Sequence, residues 1–165
     1  MSAIFSDCGA YRYRLDRQVQ ADCLVFAFFG VNPSKAGAEV EDQTTMKWRG
    51  FTERNGGRAY IAGNPFALRS TNVRGLRLAT DPIGPLNRWH VDQIISEADV
   101  LVPCWGSRQK LPRALHVYLD RLAKTLRASG KPVRVFGLTA TGDPLHPLFL
   151  GYDTTLVPWV EGSAK

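Results

Sequence analysis

The sequence predicts an α/β domain, a three-layer sandwich around a central, mostly parallel sheet of about four strands. Three observations carry this. Short apolar runs bounded by Gly and Pro recur along the chain, the pattern of buried strands. Segments of helical character separate them. Each of four runs is followed by a polar or aromatic residue beside Gly or Pro, as loops at the carboxyl edge of such a sheet require. With 165 residues, 44% of them hydrophobic, the chain fits a single domain over 1–165 and excludes a disordered or low-complexity protein.

The elements follow in order. Tyr11-Arg12-Tyr13-Arg14-Leu15 alternates and predicts an edge strand antiparallel to the next one. Cys23 to Phe29 is the first central strand. Glu41 to Asn55 is expected to be helical, capped by Asp42 and ended by Gly56-Gly57. Ala59 to Gly63 is a second strand. A long polar loop follows from Asn64 to Pro85, with turn signals at Asp81-Pro82 and Gly84-Pro85; loops of that length are often functional. Leu86 to Glu97 predicts a helix and Asp99 to Cys104 a third strand. Leu111, Leu115, Tyr118, Leu119, Leu122 and Leu126 recur at helical spacing, which predicts a helix over Gln109 to Ala128 with Pro112 in its first turn and Gly130 beyond its end. Val133 to Leu138 is a fourth strand, and Leu156 to Trp159 is expected to cover an edge.

Composition narrows the function. No apolar stretch approaches the ~20 residues of a membrane span. No basic region followed by an apolar one opens the chain, so no secretory signal is expected. Cys8, Cys23 and Cys104 are widely spaced and odd in number, which suits a reducing cytoplasm rather than a disulfide framework. No His, Cys, Asp and Glu set has metal spacing, and neither Walker nor dinucleotide glycine motifs occur, so no metal and no cofactor are expected. The net charge of +6 permits a polyanionic partner without requiring one.

Four strand ends carry the candidate chemistry. Gly30-Val31-Asn32-Pro33-Ser34 follows the first central strand, Asn64-Pro65 the second, Trp105-Gly106 the third, and His146-Pro147-Leu148-Phe149-Leu150 comes after the fourth. Parallel strands would bring Asn32, Asn64, Trp105 and His146 to one rim.

These motifs together resemble the uracil-DNA glycosylase superfamily over roughly residues 23 to 151. The Asn in the first motif resembles its mismatch-specific, thymine-DNA-glycosylase-like branch. A closer likeness joins Gly-Val-Asn-Pro-Ser, Asn-Pro-Phe-Ala-Leu-Arg, Asp-Pro-Ile-Gly-Pro, Trp-Gly and His-Pro-Leu to a bacterial and phage family known only as a domain of unknown function. The superfamily resemblance implies an N-glycosidase-like hydrolase acting on a base, with nucleic acid (DNA foremost) or a nucleotide as partner. It implies that Asn32 orients a water, that His146 donates to the leaving base, that Asn64 reads a base edge and that Leu150 wedges into the duplex. An amide has no useful basicity, so Asn32 can orient a water without taking its proton.

The departures from the superfamily are specific. Leu148 and Phe149 stand where small or Pro residues are usual, and the base-stacking aromatic has no clear counterpart. Phe66, Trp48 and Phe51 are candidates, each more readily explained as core, and Phe66 and Trp105 are taken as substrate-binding. Arg69, Arg74, Arg77 and Arg108 are candidate phosphate ligands, a solvated loop being an equal reading for the first three. Asn87 and His90 lie one helical turn apart, and a surface position is the default for both. The alternative to an enzyme is a nucleotide- or nucleic-acid-binding domain that keeps the same cleft without the chemistry.

Overall fold

The structure, a computed structural model, describes residues 1–34, 36–37 and 40–160. Its strands are β1 (Ser2–Phe5), β2 (Arg12–Gln18), β3 (Leu24–Phe29), β4 (Gly57–Gly63), β5 (Val100–Pro103), β6 (Arg134–Val135) and β7 (Val157–Pro158). The helices are α1 (Gln43–Arg54), α2 (Asn87–Glu97) and α3 (His116–Ala128). Five strands form one mixed sheet in the order β1-β2-β4-β3-β5. Only β4, β3 and β5 run parallel; β2 is antiparallel to β4 and β1 is antiparallel to β2.

The sheet therefore corrects the four-stranded parallel expectation at both ends. β1 carries no strong apolar alternation, so nothing in the sequence marks it. β2 pairs with β4 rather than with its sequence neighbour β3, because β4 returns beside β3 after α1 and leaves its far edge open. The expected fourth strand is reduced to one parallel bridge, Leu101 to Val133, followed by the short antiparallel pair β6–β7. Gly137, at φ +124°, then turns the chain away. Val133 to Leu138 meets the sheet only at that bridge, and the rest of its apolar pattern reflects the packing of Val135 and Phe136.

Helix α1 starts as expected. Asp42 Oδ1 accepts from Thr45 N at 2.9 Å, and Thr45 Oγ1 accepts from Asp42 N at 2.8 Å, a reciprocal cap. Helix α3 is shorter than its apolar spacing suggests. Two 3₁₀ turns, Arg108–Lys110 and Arg113–Leu115, stand in front of it with Pro112 between them. Such turns keep Leu111 buried while breaking the α-helical ladder.

Alternation along β3 explains the layers. Val25, Ala27 and Phe29 face a core with Ile94 of α2 and Leu119, Leu122 and Leu126 of α3. Phe26 and Phe28 face the opposite core, with Trp48 and Phe51 of α1. Phe28 is fully buried and stacks on Trp48 at 5.6 Å between ring centroids. Burying a ring of this kind contributes roughly 1.5–3 kcal/mol. The tail pairs with β6 through β7, and Trp159 meets Trp105 edge-on at 5.8 Å. No described helix is long and apolar enough to cross a membrane.

Candidate functional site

Because β3, β4 and β5 are parallel, their carboxyl ends share one edge. A narrow cleft of about 60 Å³ opens there, and Asn32, Asn64 and His146 all line it. Three of the four expected rim residues thus come together. Trp105 does not: it is buried in the α2–α3 core. Its neighbour Gly106 is the part of that motif that serves the site. Gly106 has φ +74°, donates its N–H to Pro144 O at 2.8 Å, and a Cβ there would stand 3.3 Å from that of His146. The glycine lets the His146 loop dock against the end of β5.

Asn32 is oriented by three carbonyls. Its Nδ2 donates to Ser70 O at 2.7 Å and Pro33 O at 3.1 Å, with Leu68 O at 3.4 Å. An atom surrounded by carbonyl oxygens must be the nitrogen, which fixes the amide's orientation. Oδ1 makes no bond to the described residues, and it is the atom the side chain can offer to a water.

Asn64 follows β4 directly. It is only 3% exposed, yet its side-chain amide has no hydrogen-bond partner among the described residues. Gly30 makes room for it: a Cβ at Gly30 would lie 3.0 Å from Asn64 Oδ1. The backbone there is held by Asn87, whose Nδ2 donates to Asn64 O at 2.9 Å and Pro65 O at 3.1 Å. Asn87 and His90 are buried, contrary to the surface default, and His90 stacks on Tyr13 at 4.9 Å.

His146 has a defined tautomer. Its Nδ1 accepts from Leu148 N at 3.2 Å, so the ring proton sits on Nε2. Burial lowers its pKa below the usual histidine value, and nearby Lys110 adds to this while Asp42 opposes it. A neutral ring with an Nε2–H donor is the outcome. The loop is clasped by Asp143, which is fully buried. Asp143 accepts from Arg108 N at 3.0 Å, Arg108 Nε at 2.7 Å and Thr141 Oγ1 at 2.8 Å.

Two further groups line the cleft. Asp42 adds a carboxylate beyond its capping role, and Trp48 adds an aromatic surface, the one among the three stacking candidates that reaches the cleft. Phe51 is fully buried and packs on Phe136 at 4.4 Å. Phe66 is also fully buried, edge-on to Tyr118 at 5.7 Å in the opposite core. Sequence reasoning missed Arg12, which is 3% exposed and also lines the cleft. An arginine in a strand reads as solvated, and no local pattern marked it as buried.

The other expected ligands are dispersed. Leu150 is half-buried against the α1 core, and its carbonyl accepts from Lys47 Nζ at 2.6 Å. Phe149, next to it, is 92% exposed. Arg69 is exposed in an open groove with Ser34 and Ser70, and Ser34 also lines the cleft. Arg77 is exposed on the 3₁₀ turn Val73–Arg77, and the side chain of Arg74 lies outside what the structure describes. Arg108 is tied to Asp143 and to Asp120, the latter at 2.9 Å, so it is spent on the loop clasp. No cluster of three or more His, Cys, Asp or Glu suited to a metal occurs among the described residues.

The family described as "Protein of unknown function (DUF1643)" matches residues 12–148. No curated protein and no solved structure matches the chain.

Proposed function

The chain belongs to the DUF1643 family, and from its cleft we propose an N-glycosidase-like hydrolase that acts on a base of a nucleic acid, DNA foremost, or of a nucleotide. The observation that carries the proposal is the Asn64 amide, 3% exposed and unpartnered among the described residues, in one cleft with His146 and Asn32. The amide atoms of Asn64 are not sealed in the core but open onto the cleft, where a ligand or water can complete them. A base edge offers the matching donor and acceptor. The motif resemblance to the uracil-DNA glycosylase superfamily supports the same reading.

The chemistry assigns a task to each group. Cleavage of an N-glycosidic bond develops positive charge on the sugar and negative charge on the departing base. The Nε2–H of His146 donates to a carbonyl of the base and takes up part of that negative charge. Asn32 Oδ1 accepts from the attacking water and orients it. Asp42 is the carboxylate in the same cleft to which the water's proton passes as the sugar–oxygen bond forms. Trp48 offers a ring edge or face to the base. The cleft is small beside typical ligand pockets of ~300–1,000 Å³. It admits the edge of a base, while the rest of the base, the sugar and the phosphate extend past Ser34 toward Arg69. Phe149, not Leu150, is the apolar side chain free to fill the gap left by a flipped base.

The test is base release. The protein is incubated with oligonucleotides carrying uracil, hypoxanthine, mismatched thymine or hypermodified pyrimidines, and freed base is measured. Release from one class that falls with Asp42→Asn supports the hydrolase; Asn keeps the helix cap, so the variant removes charge and not fold. Tight binding without release from any substrate replaces the hydrolase with a binding module.

A further inference from the structure

We infer that Arg12 is an anion-binding residue of the cleft and that the ligand places a phosphate against it. The inference rests on the proposed nucleotide or nucleic-acid substrate and adds where its charge is held.

Arg12 is 3% exposed, and its guanidinium makes one hydrogen bond among the described residues, from Nη1 to Ala36 O at 2.5 Å. Its Nε is buried without a partner, and no carboxylate of the described residues lies within ion-pair distance. The second buried arginine of the same strand is the contrast. Arg17 is also nearly fully buried and its Nε likewise makes no hydrogen bond, but that Nε lies 3.8 Å from Glu41 Oε1 and the terminal nitrogens donate to the carbonyls of Asp16 and Gly37. Arg17 is therefore a structural cation paired directly in the fold. Arg12 has no such pair, and Asp42 acts on it only from beyond ion-pair distance.

The electrostatics around Arg12 favour an incoming anion. Burial lowers its pKa to about 10, Asp42 offsets this in part, and the positive charges of Arg69 and Arg17 lower it again. It stays protonated at neutral pH with no carboxylate of the described residues close enough to pair with it directly. Buried charges are ordinarily paired, and a planar guanidinium matches the oxygens of a phosphate. The site is also continuous with an entry path. Ser34 lines both the cleft that holds Arg12 and the outer groove that holds Arg69. A base at Asn64 and His146 would leave its phosphate between the two arginines.

The test uses the whole protein and two readouts. First, thermal unfolding is followed with inorganic phosphate and with chloride at matched ionic strength. Second, binding of thymidine, thymidine 5′-monophosphate and a short single-stranded oligonucleotide is compared by calorimetry. Phosphate is expected to raise the unfolding temperature more than chloride, and a phosphorylated ligand to bind about tenfold or more tightly than thymidine. Arg12→Gln is expected to abolish both effects, and Arg12→Lys, which keeps charge without the planar fork, to weaken them several-fold. A preference for the monophosphate over the oligonucleotide identifies a free nucleotide as the source, and the reverse identifies the nucleic-acid backbone. No phosphate effect on the wild-type protein overturns the inference. So does a phosphate effect that survives Arg12→Gln in a folded variant or, should that variant fail to fold, survives Arg12→Lys undiminished. Phosphate binding without base release would remove the hydrolase and leave Arg12 standing, whereas base release without a phosphate effect would do the opposite.

Discussion

Asn32→Asp is the sharpest perturbation of the cleft, because it changes one atom in a fully specified contact. Asn32 Nδ2 donates to Ser70 O and Pro33 O at 2.7 and 3.1 Å, with Leu68 O at 3.4 Å. In the variant a carboxylate oxygen faces those carbonyls. Two good hydrogen bonds are lost, at about 1 kcal/mol each, and repulsion between oxygens adds a further increment, for a total of about 3 kcal/mol. For a domain of this size that lowers the unfolding temperature by roughly 6–12 °C. The penalty has a pH signature. Oxygen neighbours raise the new carboxyl's pKa in the folded state above its unfolded value, so the folded state holds the proton more tightly. The destabilisation is complete at neutral pH and shrinks as pH falls through the raised folded value, where a protonated oxygen can donate to Ser70 O. Urea denaturation of wild type and variant across that range reads both. A variant as stable as wild type at neutral pH would mean that Nδ2 does not occupy the carbonyl cage, and the placement of Oδ1 toward the water would fall with it.

Other consequences follow from the same geometry. Asp143→Ala removes the buried anchor of the His146 loop; it should cost about 3 kcal/mol, less than a fully buried pair because Arg108 is 30% exposed and keeps Asp120. Base release should fall with it, measured by denaturation and assay on the same preparation. Burial lowers the pKa of both His90 and His146, so the unfolded chain takes up those protons first. Their contribution to stability is intact above the unfolded value of ~6.5 and is lost as pH falls through the lower folded values, and His146→Ala should flatten that loss in urea titrations. Phe149→Ser should change stability by no more than about 0.5 kcal/mol while weakening base release from duplex more than from single strands.

The sequence made the parallel centre of the sheet legible, since β3, β4 and β5 are apolar runs with clear boundaries. Asp42 was legible as a cap because capping is local chemistry. The strand-end motifs placed Asn32 and Asn64 together because β3 and β4 are parallel and share an edge, whereas His146 joins them through the docking of its loop on Gly106 after β5. What escaped was set by tertiary packing. Neither the pairing of β2 with β4 nor the side of the sheet that receives Trp105 is encoded by alternation alone. Leu150, expected as the wedge, is half-buried after the 3₁₀ turn Pro147–Phe149, while Phe149 at the end of that turn is exposed. Arg12 escaped for the same reason: its burial is imposed by a cleft that only the folded chain assembles.

The cleft's central claim is that Asn64 and His146 hold a base whose glycosidic bond breaks there. Single-turnover release from the best substrate, compared among wild type, His146→Ala, Asn64→Ala and His116→Ala, tests it most directly. His116 is the control, since it lies outside the cleft and its Nε2 is engaged with Leu111 O at 3.1 Å. The account predicts a loss of about 2–4 kcal/mol of transition-state stabilisation for His146→Ala, blurred base preference for Asn64→Ala, and wild-type rates for His116→Ala. Unchanged rates and unchanged preference in both cleft variants, with release still present, would contradict it and move the chemistry elsewhere in the molecule.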